Sequence, residues 1–274
     1  MITSTLMRQV NIGSQFHTYS LYRTNSKLID PFLGVDHAWM SAPTFPPHPH
    51  AGFSAVTYVF LDSETAIANH DSIGNNTLIQ PGGIHWTAAG QGVIHEESPA
   101  VVGTTAHLLQ IFVNLPKEKQ EIAPFILSIE PQDVPTIKRE GVYIRIPFGS
   151  FQGVKSSLIP PTNVTLLDVS LDLGAELELQ LAAGEQAFIM PIFGIAEIDR
   201  CIFSIDNLLV PIIKPAPVKL TYKVIAHSSR AKFAVFIGQP LHQSTISNGL
   251  MTFASQKSLN AAITAYERGD FGKL

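Results

Sequence analysis

Short stretches in which apolar and polar residues alternate run along most of this chain. The segment from Ala175 to Leu181 alternates strictly, as a strand with one buried face does. Turn signals such as 73-IGNN-76 and 81-PGG-83 recur at close spacing, which is typical of antiparallel hairpins. This pattern predicts an all-β protein, with strands over 10–21, 55–61, 77–80, 106–113, 142–146, 164–173, 175–181, 186–190, 196–198, 218–226 and 231–237.

The predicted strands fall into two successive sets of similar size, which indicates two barrel-like domains. Between the sets lies a polar stretch, 117-KEKQE-121, followed by Pro124, Pro131 and Pro135. We expect this stretch to be an exposed crossing segment. The predicted domains are residues 1–130 and residues 131–274.

The last part of the chain has a different periodicity. Residues from Ser255 onward predict one amphipathic helix, from about Lys257 to Arg268, with Gly269 as its stop. Leu259, Ile263 and Tyr266 fall on one side of that helix, and we expect this side to pack against a barrel.

Composition narrows the function classes. The 274 residues carry a net charge of -4 and show no lysine and arginine cluster, which argues against direct nucleic-acid binding. The most apolar run, 188-FIMPIFGI-195, is too short and too broken for a membrane span. Cys201 is the single cysteine, so no intramolecular disulfide can form, and a reducing, cytoplasmic location is expected. Charged residues make up only 15%, which fits a β-rich chain with much two-sided burial.

Two short motifs carry the candidate chemistry: 48-HPH-50 and 95-HEE-97. Residues two apart on a strand point to the same face, so each motif can direct two donor atoms at one point. Two such strands side by side would offer three imidazoles and one carboxylate to a single cation, a set that suits iron with open positions. Pro49 has no N–H for a ladder and therefore marks an edge or a strand start.

Other histidines compete as ligands. His70 begins a polar turn and is interpreted as solvated or turn-bonding, whereas His85 is interpreted as barrel wall. His37 could line a pocket mouth, and His107 shares a face with apolar residues and predicts a packed role. The second strand set holds no paired ligands, so we expect its barrel to be free of metal.

The residues around these motifs resemble the pirin family, two-barrel members of the cupin superfamily. The resemblance covers about Ile29 to Pro116 in order and spacing, and the C-terminal half only in outline. With x for a position that does not count, it is carried by 30-DPFL-33 with Asp36 and His37, 48-HPHxGF-53, 56-VTY-58, 70-HDSxGN-75, 81-PGGxxWTA-88, 90-GxGVIHxE-97 and 110-QIFVNLP-116.

Family membership would imply two cupin-type, jelly-roll-like barrels in tandem plus a C-terminal helix. It would also imply ferrous iron, or another divalent transition metal, held in the N-terminal barrel by residues corresponding to His48, His50, His95 and Glu97. Some relatives oxidise the flavonol quercetin with dioxygen, and an animal relative is a nuclear co-regulator. Two hypotheses follow. The first is a quercetin 2,3-dioxygenase-type enzyme that acts on a flavonol-like enol, with Glu97 as both ligand and catalytic base. The second is a metal-dependent regulatory module that binds a protein partner without turnover.

Three positions depart from the family pattern. Ala51 and Gln91 stand where relatives usually carry arginine, and Ser54 stands where they carry an acid. Groups next to the ligands orient them and tune the metal. We therefore expect only weak activity on quercetin.

Overall fold

The computed structural model describes residues 1–22 and 27–274 of the chain. It is a β protein with short 3-10 turns at Lys117–Lys119 and Pro131–Asp133 and one α-helix, α1 (Gln256–Glu267). The strands are β1 (Ile2–Leu6), β2 (Arg8–Ile12), β3 (Phe16–Tyr22), β4 (Phe32–Met40), β5 (His48–His50), β6 (Phe53–Val59), β7 (Ile67–Asp71), β8 (Asn76–Ile79), β9 (Ile84–Ala88), β10 (Val93–Pro99), β11 (Ala106–Asn114), β12 (Phe125–Ile129), β13 (Thr136–Arg139), β14 (Val142–Phe148), β15 (Ser150–Phe151), β16 (Val154–Lys155), β17 (Val164–Asp172), β18 (Glu176–Leu181), β19 (Gln186–Phe193), β20 (Ile195–Ile198), β21 (Cys201–Ser204), β22 (Leu209–Ile213), β23 (Leu220–Ala226), β24 (Arg230–Gly238), β25 (Ile246–Asn248) and β26 (Met251–Phe253).

The chain forms two compact units. The larger unit comprises Gln9–Ser20, Phe32–Asp133 and Leu241–Leu274. It contains a seven-stranded sheet in the order β12-β9-β6-β11-β4-β3-β2 and a four-stranded sheet in the order β5-β10-β7-β8. The inner faces of the two sheets share one core, in which Val59 and Leu108 of the first sheet pack with Ile67 and Ile79 of the second. This is the sheet-on-sheet arrangement that the alternating pattern predicted.

The smaller unit comprises Met1–Arg8, Leu21–Pro31 and Val134–Pro240. It repeats the plan, with a seven-stranded sheet in the order β1-β22-β19-β24-β17-β14-β13 and a four-stranded sheet in the order β18-β23-β20-β21. Leu177, Leu179 and Leu181 on β18 are buried in its core, and the residues between them are more exposed. The predicted fold, two cupin-type β units plus a C-terminal helix, is therefore confirmed.

The N-terminal region differs from the prediction of one strand over residues 10–21. The structure has a hairpin there, β2 and β3, which turns at Gly13 to Gln15. Gly13 adopts a φ of +58°, which glycine takes at low cost. A single glycine within an apolar and polar alternation was thus a turn signal that the periodicity concealed.

The predicted exposed crossing segment also contains regular structure. Residues 125–129 form β12, which pairs with β9 from Phe125 opposite Ala88 to Ile129 opposite Ile84. This stretch is therefore the edge strand of the larger unit's main sheet and not a free linker. The sequence did not predict this strand, because charged residues and prolines surround its few apolar residues.

The terminal segments belong to different units from those that chain order suggests. At the start of the chain, β1 pairs with β22 of the smaller unit, from Ile2 opposite Ile213 to Leu6 opposite Leu209. At the end of the chain, α1 and the β25–β26 hairpin belong to the larger unit. The two units meet in sequence at Asp133 and Val134, close to the predicted boundary at 130, but neither unit is one continuous stretch.

Helix α1 packs by a narrower face than the sequence predicted. Ser255 caps it by accepting a hydrogen bond from the Ser258 backbone N–H, a typical N-cap. Leu259 and Ala262 are buried, and Ile263 is partly buried beside them. Tyr266, which was expected on the packed face, is 40% exposed and contacts only the edge of that cluster through the Phe271 ring. Within residues 1–22 and 27–274, no helix has the length and apolar character to cross a membrane.

We expect Leu259→Ala to lower the free energy of unfolding by about 2–5 kcal/mol, because it removes a side chain that is only 2% exposed and leaves a cavity. Lys257→Ala, an exposed position on the same helix, is the matched control and should change stability by about 0.5 kcal/mol or less. Urea unfolding followed by circular dichroism measures both. Equal midpoints for parent and Leu259→Ala would show that the helix is a loose tail.

Candidate metal centre

Two neighbouring strands of the four-stranded sheet carry the three histidines of the motifs. Strand β5 lies at the edge of that sheet and pairs with β10, so that His48 is opposite His95 and Pro49 is opposite Ile94. The predicted edge position of Pro49 is confirmed. One nitrogen from each of His48, His50 and His95 lies within 4.8 Å of the others. The structure therefore brings together three of the four predicted ligands.

Two of the three outer nitrogens face oxygen acceptors. His48 Nδ1 lies 2.9 Å from the carbonyl oxygen of Pro46, and His95 Nδ1 lies 3.0 Å from Oδ1 of Asn69. His50 Nδ1 has no hydrogen-bond partner among residues 1–22 and 27–274. The backbone of Leu250 nevertheless raises the pKa of His50, against the larger lowering by burial. The contacts of His48 and His95 place the ring proton on Nδ1 and leave the Nε2 lone pair for a metal.

The inner nitrogens then test whether a metal fits. His50 Nε2 and His95 Nε2 are 2.9 Å apart, and both rings are almost fully buried. Because the His95 Nδ1 proton is directed at Asn69, His95 Nε2 accepts and the His50 Nε2–H donates to it in the metal-free protein. Movement of the His50 proton to Nδ1 would free both Nε2 lone pairs for a cation. Imidazole donors of this kind suit a borderline transition-metal ion.

Electrostatics keep the three rings neutral. Burial lowers the pKa of His95 to about 3, and it lowers the pKa of His50 well below 6.5, with the neighbouring imidazoles adding to the effect. Burial also lowers the pKa of His48. At neutral pH the site therefore offers lone pairs without having to release histidine protons.

Glu97 lies two residues beyond His95 on β10, but it is not part of the histidine cluster. Thr57 Oγ1 on the facing sheet lies 2.7 Å and 2.8 Å from its two carboxylate oxygens, and 3.0 Å from Oε1 of Gln110. Burial raises the pKa of Glu97 to about 7, with the Thr57 hydroxyl opposing part of that rise. In the structure the Glu97 carboxyl group is thus held against Thr57, so its role as fourth ligand stays a prediction.

Sequence reasoning did not find Thr57, Gln110 or Asn69. Each is buried or partly buried on an inner face next to the candidate site. Thr57 is opposite Gln110 in the main sheet, and Asn69 is opposite Glu97 in the other. Only the pairing of distant strands makes these residues neighbours. Alternation along each strand predicts which face of the sheet a side chain is on, but it does not predict which residue of the neighbouring strand lies opposite.

The competing histidines lie elsewhere. His70 is exposed, with its Nδ1 3.5 Å from Glu96, as a solvated interpretation expected. His37 is not at a pocket mouth: it is fully buried, with its Nε2 2.7 Å from His107 Nε2. His107 has the packed role that was predicted, and its Nδ1 contacts Asp62 at 3.0 Å. His85 is buried in the wall of the larger unit.

The C-terminal segment closes the back of both ligand strands. Next to His50, the Thr252 N–H donates to the Ala51 carbonyl at 3.0 Å, and a Cβ on Gly52 would clash with the Thr252 carbonyl oxygen. Near His95, the Phe271 ring lies where a Cβ on Gly92 would be. Both glycines have positive φ, so substitution at either is strained as well as obstructed. The last 30 or so residues are therefore part of the support of the site.

The three departures from the family pattern have different surroundings. Ala51 is fully buried in an apolar cluster with Met251 and Phe253, where an arginine side chain would lack partners. Ser54 is also fully buried. Gln91 is exposed on the turn between β9 and β10. Alanine at position 51 thus fits the apolar contact with the C-terminal hairpin.

The sequence matches one protein-family model and is similar to named proteins. The family model described as Pirin matches residues 9–113. A Pseudomonas aeruginosa protein provisionally named a quercetin 2,3-dioxygenase is 30% identical over 254 residues, covering 88% of this chain and 86% of that protein.

Solved structures agree on the fold. A quercetin 2,3-dioxygenase from Acinetobacter baumannii superposes with a TM-score of 0.87 at 24% identity, over 99% of this chain and 97% of that one. The bacterial pirin YhhW from Escherichia coli, solved in complex with nickel(II), gives a TM-score of 0.69 at 19% identity, over 88% of this chain and 100% of that one. At these identities the two likenesses establish a shared fold alone.

We expect His95→Ala to lose most of its bound metal, because it removes one of three converging imidazoles. His70→Ala, which removes an exposed histidine from the neighbouring strand, is the matched control and should keep parental metal content. Elemental analysis of protein purified after loading with ferrous iron measures both. Full metal retention by His95→Ala would rule out this ligand set.

We also expect metal affinity to depend on pH through Glu97 and not through the histidines. The pKa of Glu97 is raised to about 7, so below that pH a proton must leave before its carboxylate can bind a metal. Affinity should then fall about tenfold per pH unit below about pH 7 and level off above it. His95 adds no such slope there, because burial lowers its pKa to about 3, and burial lowers the pKa of His50 and of His48 as well.

Zinc titration against a chromophoric chelator, between about pH 5.5 and pH 8.5, measures this slope. Glu97→Gln has no carboxyl proton to lose, so its affinity should be lower at high pH and nearly flat over the range. The same slope in the parent and in Glu97→Gln would exclude Glu97 as a ligand.

Proposed function

The chain belongs to the pirin family, and we propose that it is a metal-dependent oxygenase of the quercetin 2,3-dioxygenase type. In this proposal a flavonol-like enol is oxidised by dioxygen next to ferrous iron. His48, His50, His95 and Glu97 would hold the metal. We further propose that the smaller unit holds no metal, because its sequence lacks paired ligands.

The convergence of the three imidazoles is the observation that carries this proposal. One nitrogen of each ring lies within 4.8 Å of the others, two of the rings are buried, and the Nδ1 atoms of His48 and His95 face oxygen acceptors. The buried pair His37 and His107 shows that two close imidazole nitrogens can be purely structural, so the distinguishing feature here is the third ring, His48, which brings three nitrogens within 4.8 Å of one another. Three histidines also leave coordination positions for other groups, which a closed structural site does not.

Bound iron would supply the Lewis acidity and the electron exchange with dioxygen. The protein's own residues would orient the substrate and handle its proton. Glu97 is suited to take the proton of a substrate hydroxyl, because burial raises its pKa to about 7 and a base works best near the ambient pH. Thr57 would hold the carboxylate in place, since its hydroxyl lies within 2.8 Å of both oxygens.

The named relatives support the choice of reaction and metal class. One relative is provisionally named a quercetin 2,3-dioxygenase, and YhhW was solved with nickel(II). Iron is our proposal for this chain, because the notional donor set of three imidazoles and one carboxylate suits non-haem iron. The departures at Ala51, Ser54 and Gln91 lead us to expect a weak rate on quercetin itself.

We expect Glu97→Gln to reduce oxygen uptake with quercetin by about a hundredfold or more while it loses much less metal. Glutamine keeps an oxygen donor but cannot accept the substrate proton. The measurement uses protein loaded anaerobically with ferrous iron, an oxygen electrode, and the loss of quercetin absorbance, with metal content determined on the same samples.

Two outcomes would contradict the proposal at different points. Rapid oxygen consumption by Glu97→Gln at parental metal occupancy would remove Glu97 as the base. An absence of oxygen uptake with every flavonol tried, from fully iron-loaded parent, would favour the second hypothesis, a metal-dependent module that binds a protein partner.

A further inference from the structure

His85 is a buried imidazole whose hydrogen-bonding capacity is only half used. It lies on β9 and is 1% exposed. Its Nδ1 is 2.9 Å from the hydroxyl of Ser128 on the edge strand β12. Its Nε2 has no hydrogen-bond partner among residues 1–22 and 27–274. Buried polar atoms without a partner are rare in native proteins, and a ligand or an ordered water is the usual explanation.

The side chain of His85 points into the larger unit on the side of the candidate metal centre. His85 is directly opposite Thr57 in the main sheet, and cross-strand partners share a face. Thr57 contacts Glu97 on the facing sheet, so this face is the inner one. The charges of Asp71 and His95 both couple to His85, which places it within electrostatic range of the ligand strands.

A second unused polar group comes from the facing sheet. Asn69 is fully buried and directly opposite Glu97 on β7. Its Oδ1 faces His95, whereas its Nδ2 has no partner in the part of the chain that the structure describes. His85 Nε2 and Asn69 Nδ2 are therefore two polar atoms without a recorded hydrogen bond among the described residues, one from each of the two facing sheets. His85 lies beside Thr57, and Asn69 lies beside Glu97.

We propose that His85 is a specificity-determining residue that hydrogen-bonds an oxygen substituent of the organic substrate, with Asn69 donating to a second oxygen. The amide Nδ2 can only donate, so it requires an acceptor such as a carbonyl oxygen. The neutral imidazole Nε2 donates or accepts according to the tautomer that Ser128 selects, and a hydroxyl group serves either case. The class of ligand is a compound with adjacent hydroxyl and carbonyl oxygens. This inference rests on the proposed function and extends it by assigning substrate contacts outside the metal ligands.

The test measures binding without turnover, on the full-length protein loaded with zinc. Two probes are used: quercetin, and 3-hydroxy-4-pyranone, which is the hydroxyl and carbonyl fragment alone. His85→Phe removes both ring nitrogens, and His85→Gln keeps a donor and an acceptor. His70→Phe makes the same change at an exposed histidine and is the matched control. Dissociation constants are taken from the absorbance shift of each probe.

We expect His85→Phe to weaken binding of at least the pyranone by about ten- to a hundredfold. His85→Gln should stay within a few-fold of the parent, and His70→Phe should equal it. Zinc affinity should be unchanged in His85→Phe, because no metal ligand is removed. The melting temperature should fall only slightly, because the one hydrogen bond lost is to the exposed Ser128 hydroxyl. Should His85→Phe fail to fold, His85→Met provides the same removal with a more flexible side chain.

The outcomes separate this inference from the proposed function. Loss of pyranone binding in His85→Phe, with no quercetin binding by the parent, would support the role of His85 and contradict a flavonol substrate. Equal affinities of parent and His85→Phe for both probes would overturn the inference. A parallel loss of zinc affinity, or a large loss of thermal stability, would make His85 a structural residue and overturn it as well. Binding of neither probe by the parent would overturn both proposals.

Discussion

The close approach of His50 Nε2 and His95 Nε2 is the constraint on which the rest of the larger unit depends. Without a metal one ring donates Nε2–H to the other, and with a metal both lone pairs can bind it, so either state requires the two rings to stay close. The surrounding structure must therefore hold both strands firmly. It does so by pairing β5 with β10 and by giving two of the three outer nitrogens oxygen acceptors. The neutrality of the rings follows from the same burial, which lowers the pKa of His95 to about 3.

This requirement explains why the chain's last segment returns to the larger unit. Strand β5 is short and lies at a sheet edge, where Pro49 cannot contribute a ladder hydrogen bond. The C-terminal hairpin supplies what the edge lacks: it donates to the Ala51 carbonyl and packs Met251 against Ala51. An arginine at position 51 would remove this apolar contact. The small apolar residue at position 51 is thus what allows the C-terminal hairpin to pack against β5.

The interior opposite the histidines is polar in a way that suits proton handling. Glu97, Thr57 and Gln110 form a connected group across the two sheets. Only one hydroxyl hydrogen is available at Thr57 for three nearby oxygens, so a proton on Glu97 or a reversed Gln110 amide must satisfy the remainder. Burial raises the pKa of Glu97 to about 7, which makes the protonated form available at neutral pH. In the metal-free protein this proton stabilises the fold, and that contribution is lost as the pH rises through 7.

The sequence by itself determined the strand-rich class, the two sets of strands, the C-terminal helix and which side chains share a face within each of the motifs 48-HPH-50 and 95-HEE-97. These are local properties, because alternation along one strand decides which residues share a face. Tertiary structure alone decided that β12 is an edge strand, that the two terminal segments join opposite units, and that Glu97 bonds to Thr57. It also decided that Asn69 holds His95 and that His85 points inward with one nitrogen unused. Each of these depends on the register between strands far apart in the chain, and alternation within one strand carries no information about the partner opposite it.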